Sequence, residues 1–233
     1  MHKKKSILYI EIAAFILLAA VSVTGFVMAA RGQVAFMYFL REDGWIENLT
    51  VVFLLASSGI AIYRALGYMK RKAPMAVFFW AMTAFLFFFA AGEEISWGQR
   101  IFGLETPDFF IDKNLQNETN LHNLEIKGFK VNKWIFSRLL FAVMGFYLLL
   151  LRPLVARFSF FRGLVAKFQV PLARWFYVFV LLGAAVVFSP INLLKKSELI
   201  EFAFSLIFLL IFINPVLIRR DDRKMEQNNN RRE

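Results

Sequence analysis

Six stretches of 18 to 24 residues, at 7–30, 45–63, 74–92, 134–151, 172–194 and 199–218, are dominated by apolar side chains and bounded by charge or by Trp and Tyr. The run at 74–92, PMAVFFWAMTAFLFFFAAG, carries no charge at all. A hydrocarbon core about 30 Å thick is crossed by roughly 20 apolar residues in a helix, so each run has the length of a span. The composition agrees, since 59% hydrophobic and 19% charged residues over 233 positions is too apolar for a water-soluble domain of that length. The expected fold is all-α: a polytopic transmembrane helical bundle of about six spans in a single domain over 1–218. A disordered cytoplasmic tail is expected over 219–233. The first run follows HKKK and is about 24 residues long, which reads as an uncleaved helix and not as a signal peptide.

Charge orients the bundle. When the loops are assigned alternately to two sides, eighteen of the twenty-eight Lys and Arg fall on the side that holds both termini, against four acids there. The positive-inside bias puts that side in the cytoplasm. The excess is therefore topological, and no nucleic-acid motif accompanies it. Arg152, Arg157, Arg162 and Lys167 recur every five residues, a spacing that lines no single helical face, although bases among phenylalanines suit an anionic headgroup surface. Glu11 lies near the start of the first run, where it is expected to snorkel. No cysteine is present, which excludes thiolate metal sites and disulfides.

The polar residues with chemical promise gather on the other side. Asp43 is placed to cap the second run, and Glu47 in its first turn complements the helix dipole. The third run ends in GEEISWGQR, residues 92–100. Acids at a helix C-terminus face the negative end of the dipole, so Glu93 and Glu94 need a compensating partner or a task. If the helix continues, Glu93, Ser96, Trp97 and Arg100 share a face while Glu94 lies about 100° around, so that one carboxylate faces the bundle and the other reaches water. In the extracytoplasmic loop, 93–133, Thr106-Pro107-Asp108 spells the start of a short interfacial helix, with Thr106 as cap and Phe109, Phe110 and Leu115 toward the interface. Asn117, Glu118, Asn120, His122 and Asn123 follow within seven residues. On a helix Glu118 and His122 would point the same way, the spacing of a metal-ligand pair or of a carboxylate orienting an imidazole. Metal ligation, metal-free acid–base chemistry and structural hydrogen bonding all fit His122. Lys195 and Lys196 suit a phosphate or lipid headgroup, whereas Glu198 and Glu201 read as acids favourably placed at a helix N-terminus.

GEEISWGQR followed by TP and NETNLHNL resembles the signature of a bacterial family of polytopic inner-membrane proteins with no assigned biochemical activity. The resemblance covers about residues 41–125. It implies a multi-pass protein of the bacterial inner membrane and treats Glu93, Glu94, Ser96, Trp97, Gln99, Arg100, Asn117, Glu118, Asn120, His122 and Asn123 as one constellation. Ceramidase-like, phosphatidic-acid-phosphatase-like and rhomboid-like enzymes each need histidines or serine elements that are missing here.

Two classes of function follow. In the first, the outer site belongs to a hydrolase or transferase acting on a lipid or lipid-linked substrate. Glu93 or Glu94 is then the base, with Glu118 and His122 completing the catalytic set. Arg100, Gln99, Trp97, Ser96, Asn117, Asn120, Asn123, Glu47 and Lys195 would bind substrate. A divalent metal, Mn, Zn or Mg, would be held by His122, Glu118 and Glu94. In the second, the same residues hold loops together in a non-catalytic accessory or assembly protein, or in a transporter component. Beyond the lipid bilayer, no protein partner is specified.

Overall fold

The computed structural model describes residues 2–126, 128–130 and 138–218. α1 (His2–Ala30) stops at Gly32, whose φ of 108° is closed to side chains, and α2 (Gln33–Phe39) follows. α3 (Trp45–Lys70) and α4 (Pro74–Glu94) form an extensively packed hairpin tied at depth by Ser58, whose Oγ donates to the Ala84 carbonyl at 2.8 Å. Pro74 opens α4 at a position where its missing N–H is no loss. A left-handed turn then leads into α5 (Gln99–Phe102) and α6 (Asp108–Lys113). A two-residue ladder follows, β1 (Glu125–Ile126) against β2 (Phe129–Lys130). α7 (Leu140–Gly145) runs through a π-helical turn at Phe146–Leu150 into α8 (Leu151–Arg157), and α9 (Ser159–Phe168), α10 (Trp175–Phe188) and α11 (Lys196–Ile213) complete the chain of helices.

Among the described residues, three helices are long and apolar enough to cross a membrane: Lys5–Ala30, Trp45–Lys70 and Pro74–Glu94. Ala142–Arg157 and Ser159–Phe168 make a fourth if they are one broken span, since they meet at 117°. The chain is thus all-α with three to four candidate membrane spans, fewer than the six apolar runs suggested. α10 has 14 residues and rises only about 21 Å, because Ser189 and Pro190 end it early and 172–174 are spent on an extended bridge to Val216. α11 has 18 residues but carries Lys196, Glu198 and Glu201 in its first two turns. The expected span at 134–151 begins outside the described residues and extends to Arg157, and the expected tail, 219–233, also lies outside them.

α11 is the centre of the fold. Leu199, Phe202, Leu206, Ile207, Leu210 and Ile211 are all nearly inaccessible, so the helix is wrapped on several sides, chiefly by α3, α10 and α1. A helix apolar on most faces is stable only in such a cradle. Gly25 of α1 allows close approach, since a Cβ there would stand 2.9 Å from Leu199 Cδ1.

The base-rich end of the bundle is closed by polar clasps. Arg64 donates to the Phe212 carbonyl at 2.7 Å, satisfying the C-terminus of α11, and its guanidinium lies over the Trp80 ring. Glu11 does not snorkel: it turns inward, accepting from the Tyr177 hydroxyl and from Asn214 Nδ2, with Arg174 Nη1 at 3.8 Å. The five-residue spacing of bases is resolved by two helices instead of one. Arg162 of α9 donates to the Val155 and Ala156 carbonyls and so caps α8, while Val165 and Ala166 form the buried face of α9.

Candidate functional site

At the opposite end, α4 does not continue through GEEISWGQR. Glu94 is its last residue, and Ser96, Trp97 and Gly98 all adopt positive φ, at 47°, 56° and 77°. The reversal folds Trp97 back over Gly92, where a Cβ would stand 2.8 Å from the indole ring, and only glycine leaves room. The indole also meets Phe88 and Phe89 edge-on, and its Nε1 donates to Glu93 Oε1 at 2.8 Å. The expected proximity of Trp97 to Glu93 is therefore reached by a tight turn and not by helical spacing.

The two neighbouring glutamates part company here. Glu93 is turned toward the loop and 5% exposed; its Oε2 accepts the backbone N–H groups of Leu121 at 2.6 Å and His122 at 2.9 Å. Two amide donors and an indole engage both carboxylate oxygens. Glu94 turns into the bundle. Glu93 is buried and Glu94, half-buried, faces the acids of α11, in contrast to the expectation that one of the two would reach open water.

Arg100 is the hub of the loop. Its Nε donates to Asp43 Oδ2 at 2.9 Å, its Nη2 to Glu47 Oε1 at 3.1 Å, and its Nη1 to Glu118 Oε1. Burial pulls the guanidinium down, but the Asp43 hydrogen bond and the charges of Glu118, Asp43 and Glu47 outweigh it and hold its pKa above the usual value. Asp43 is not the cap of α3; Gly44 is, because Asp43 takes φ 56° and gives its carboxylate to Arg100. Glu47 reaches back to the Asp43 N–H at 3.1 Å, and Asn48 Nδ2 donates to the Asp43 and Gly44 carbonyls.

The segment from Asn114 to Leu124 is irregular, with Asn117 at φ 56°, so Glu118 and His122 do not share a helical face. Glu118 Oε2 accepts from Ser96 Oγ at 2.7 Å and Asn120 Nδ2 at 2.9 Å. Asn120 also donates to Ser96 Oγ, while its Oδ1 accepts from Asn123 N and Asn114 Nδ2. Gln99 bridges the Thr119 N–H and the Thr106 hydroxyl. Thr106 in turn donates to the Asn117 carbonyl at 2.8 Å, which takes it away from the expected capping role; Pro107 caps α6. The Asn123 side chain donates to Gln116. Asn114, which the sequence reading passed over, is buried at the centre: its Oδ1 accepts from the Gln116 and Glu118 N–H groups, an Asx turn that shapes the loop. His122 is half-buried, and burial pushes its imidazole below the usual value, which favours the neutral ring. Phe109 and Leu115 are more than half exposed, as expected of interfacial anchors, while Phe110 is half-buried.

The expected metal-ligand set is not what converges. Among the described residues, one group of three potential ligands lies within 4.8 Å: the carboxylates of Glu94, Glu198 and Glu201. Glu118 and His122 are outside it. Glu94 Oε1 is buried without a hydrogen-bond partner. At 4.8 Å and an effective dielectric of about 20, each ionised pair would repel by about 3 kcal/mol. Arg100 is committed to its three acids, and Lys195, at φ 66° before α11, is paired with Glu42 at 2.9 Å while its charge also bears on Glu198. Such a cluster demands protons or a cation between the oxygens. The signal for Glu198 and Glu201 in the sequence is their i, i+3 spacing at the head of an apolar helix, which puts both on one side.

No family model, no curated protein and no solved structure matches the chain.

Proposed function

We propose that this chain is a membrane-embedded hydrolase or transferase that acts on a lipid or lipid-linked substrate at the extracytoplasmic face of a bacterial inner membrane. The observation that carries the reading is the convergence of Glu94, Glu198 and Glu201 within 4.8 Å at one end of an otherwise apolar helical bundle, with Glu94 Oε1 unpaired. Carboxylates so placed are expensive to keep unless they have work to do. In this reading α10 and α11 act as the fifth and sixth spans, the charge bias puts both termini in the cytoplasm, and the GEEISWGQR and NETNLHN elements supply the family signature.

The residues divide into two layers. Glu93, Ser96, Gln99, Arg100, Asn114, Glu118 and Asn120 satisfy one another and hold the loop; their hydrogen bonds leave little capacity for substrate. The carboxylate trio beneath them is the reactive layer. Lys195, whose partner Glu42 is half exposed, is the base that can exchange to an anionic headgroup at little cost. Exposed Ile101, Phe102 and Leu104 beside the loop would enter the outer leaflet and bring the headgroup level with the site.

The test is turnover in proteoliposomes that contain labelled phospholipids and polyprenyl-phosphate-linked sugars, followed by mass spectrometry of the lipid extract. Conversion of one class by wild type, and its loss in Glu94→Gln and Glu201→Gln, supports the reading. Unchanged lipids in every reconstitution sink it and favour an accessory or assembly protein. The self-satisfied loop network and the apolar edge at Ile101 and Phe102 fit that second reading.

A further inference from the structure

We propose that Glu94, Glu198 and Glu201 hold a hard divalent cation, Mg²⁺, Mn²⁺ or Ca²⁺, between the C-terminus of α4 and the N-terminus of α11. The inference deepens the reading above by naming the cofactor of the same site, but it stands on geometry of its own.

Three observations support it. First, oxygens bound to one such cation at about 2.0–2.6 Å can be at most about 4–5 Å apart, twice the bond length. The three carboxylates lie within 4.8 Å of one another, inside the span of a Ca²⁺ shell as they stand, while the shorter bonds of Mg²⁺ would draw them together by about half an ångström. Second, no amide, hydroxyl or base donates to the buried Glu94 Oε1, and the polar group beside this side chain is another carboxyl, Glu201, whereas buried carboxylate oxygens normally have a donor. An ion among the three carboxylates supplies what the polypeptide leaves out. Third, none of the three glutamates forms an ion pair with a described base, whereas the other two buried acids of this end are matched, Glu47 by the Arg100 guanidinium and Glu93 by two amides and an indole. A layer in which one carboxylate is matched to its donors and the next is left bare is what a cation site needs.

The ligand set also selects the metal. With three carboxylates and no imidazole or thiolate among them, oxygen-preferring ions are favoured over Zn²⁺ or Cu²⁺. His122 belongs to the loop layer, where its backbone is bound by Glu93. The ligands come from helices about a hundred residues apart, so the ion would also staple α11 to α4.

Mn²⁺ alone is the probe. Detergent-purified protein, stripped of metal, is titrated with Mn²⁺ and the free-ion signal followed by electron paramagnetic resonance, alongside thermal unfolding with and without the ion. Saturable binding at about one Mn²⁺ per chain, weakened at least tenfold in Glu198→Gln and Glu201→Gln and retained in Glu118→Gln and His122→Ala, is the expected result. The Gln variants are near-isosteric and lose like-charge repulsion, so they should fold at least as well as stripped wild type while their melting no longer responds to Mn²⁺. No saturable binding of Mn²⁺, Mg²⁺ or Ca²⁺ by wild type overturns the proposal, as does binding that Glu198→Gln and Glu201→Gln leave unchanged. Cation binding without lipid turnover would sink the catalytic reading and leave the site; turnover by metal-free protein would do the reverse.

Discussion

Replacing Arg100 with alanine removes three hydrogen-bonded ion pairs at once. They are not equal. Asp43 is 53% exposed, so its pair is worth at most about 1 kcal/mol. The Glu47 and Glu118 side chains are 10% and 15% exposed, and a charge-assisted hydrogen bond in such a setting contributes about 1.5–3 kcal/mol. Their sum overstates the loss, because carboxylates stripped of their counterion can take up protons. About 3 kcal/mol is a fair figure for the weakened docking of the 105–126 loop, and each 1.4 kcal/mol is tenfold in an equilibrium. The amides of Thr119, Leu121 and His122, held by Gln99 and Glu93, report that docking directly. Hydrogen exchange at these three should quicken by roughly a hundredfold in Arg100→Ala, while the buried amides of α11, which the network does not touch, keep their rates. Arg100→Lys retains the charge but not the fork, and should fall between the two. If exchange at 119–122 in Arg100→Ala stays within about threefold of wild type, the guanidinium is not what holds the loop.

Two other outcomes follow from the same geometry. Gly92→Ala drives a methyl group into the Trp97 ring, an overpacking cost of about 1–3 kcal/mol; it should shift the indole emission, a shift that vanishes in a Trp97→Phe background. The docked His122 has its pKa lowered from the usual 6.5, so below that pH a detached loop binds a proton that the docked loop refuses. Docking should therefore weaken as pH falls from about 6.5 toward the lowered value and be flat above it, read as faster proteolysis at 114–126, and His122→Gln should abolish the trend.

The apolar runs made the all-α class and the presence of several membrane spans legible in the sequence, because span length and hydropathy are local properties. What they missed is tertiary. The i, i+4 spacing of Glu118 and His122 has meaning only on a helix, and the Asx turn at Asn114 together with the left-handed Asn117 keeps that segment from being one. The roughly 100° between adjacent helical side chains predicts that Glu93 and Glu94 part, and they do, but it does not say that one meets the loop amides and the other meets two acids of α11. Glu198 and Glu201 read as ordinary helix-start acids because that placement is favourable by itself. Only the return of α11 to the end of α4 shows that they meet Glu94. Of the residues grouped around GEEISWGQR, Ser96, Gln99 and Arg100 bond to the loop, while Glu94 leaves it for α11.

The central position of α11 has a consequence for how the molecule is built. A helix apolar on most faces and headed by Lys196, Glu198 and Glu201 is suited neither to water nor to lipid by itself. It packs in the cradle of α1, α3 and α10, all earlier in the chain, and the carboxylate trio needs it there, since two of the three acids are its own. Assembly of the bundle and completion of the site are then a single event, and a bundle without α11 would have neither its core nor its charges in place.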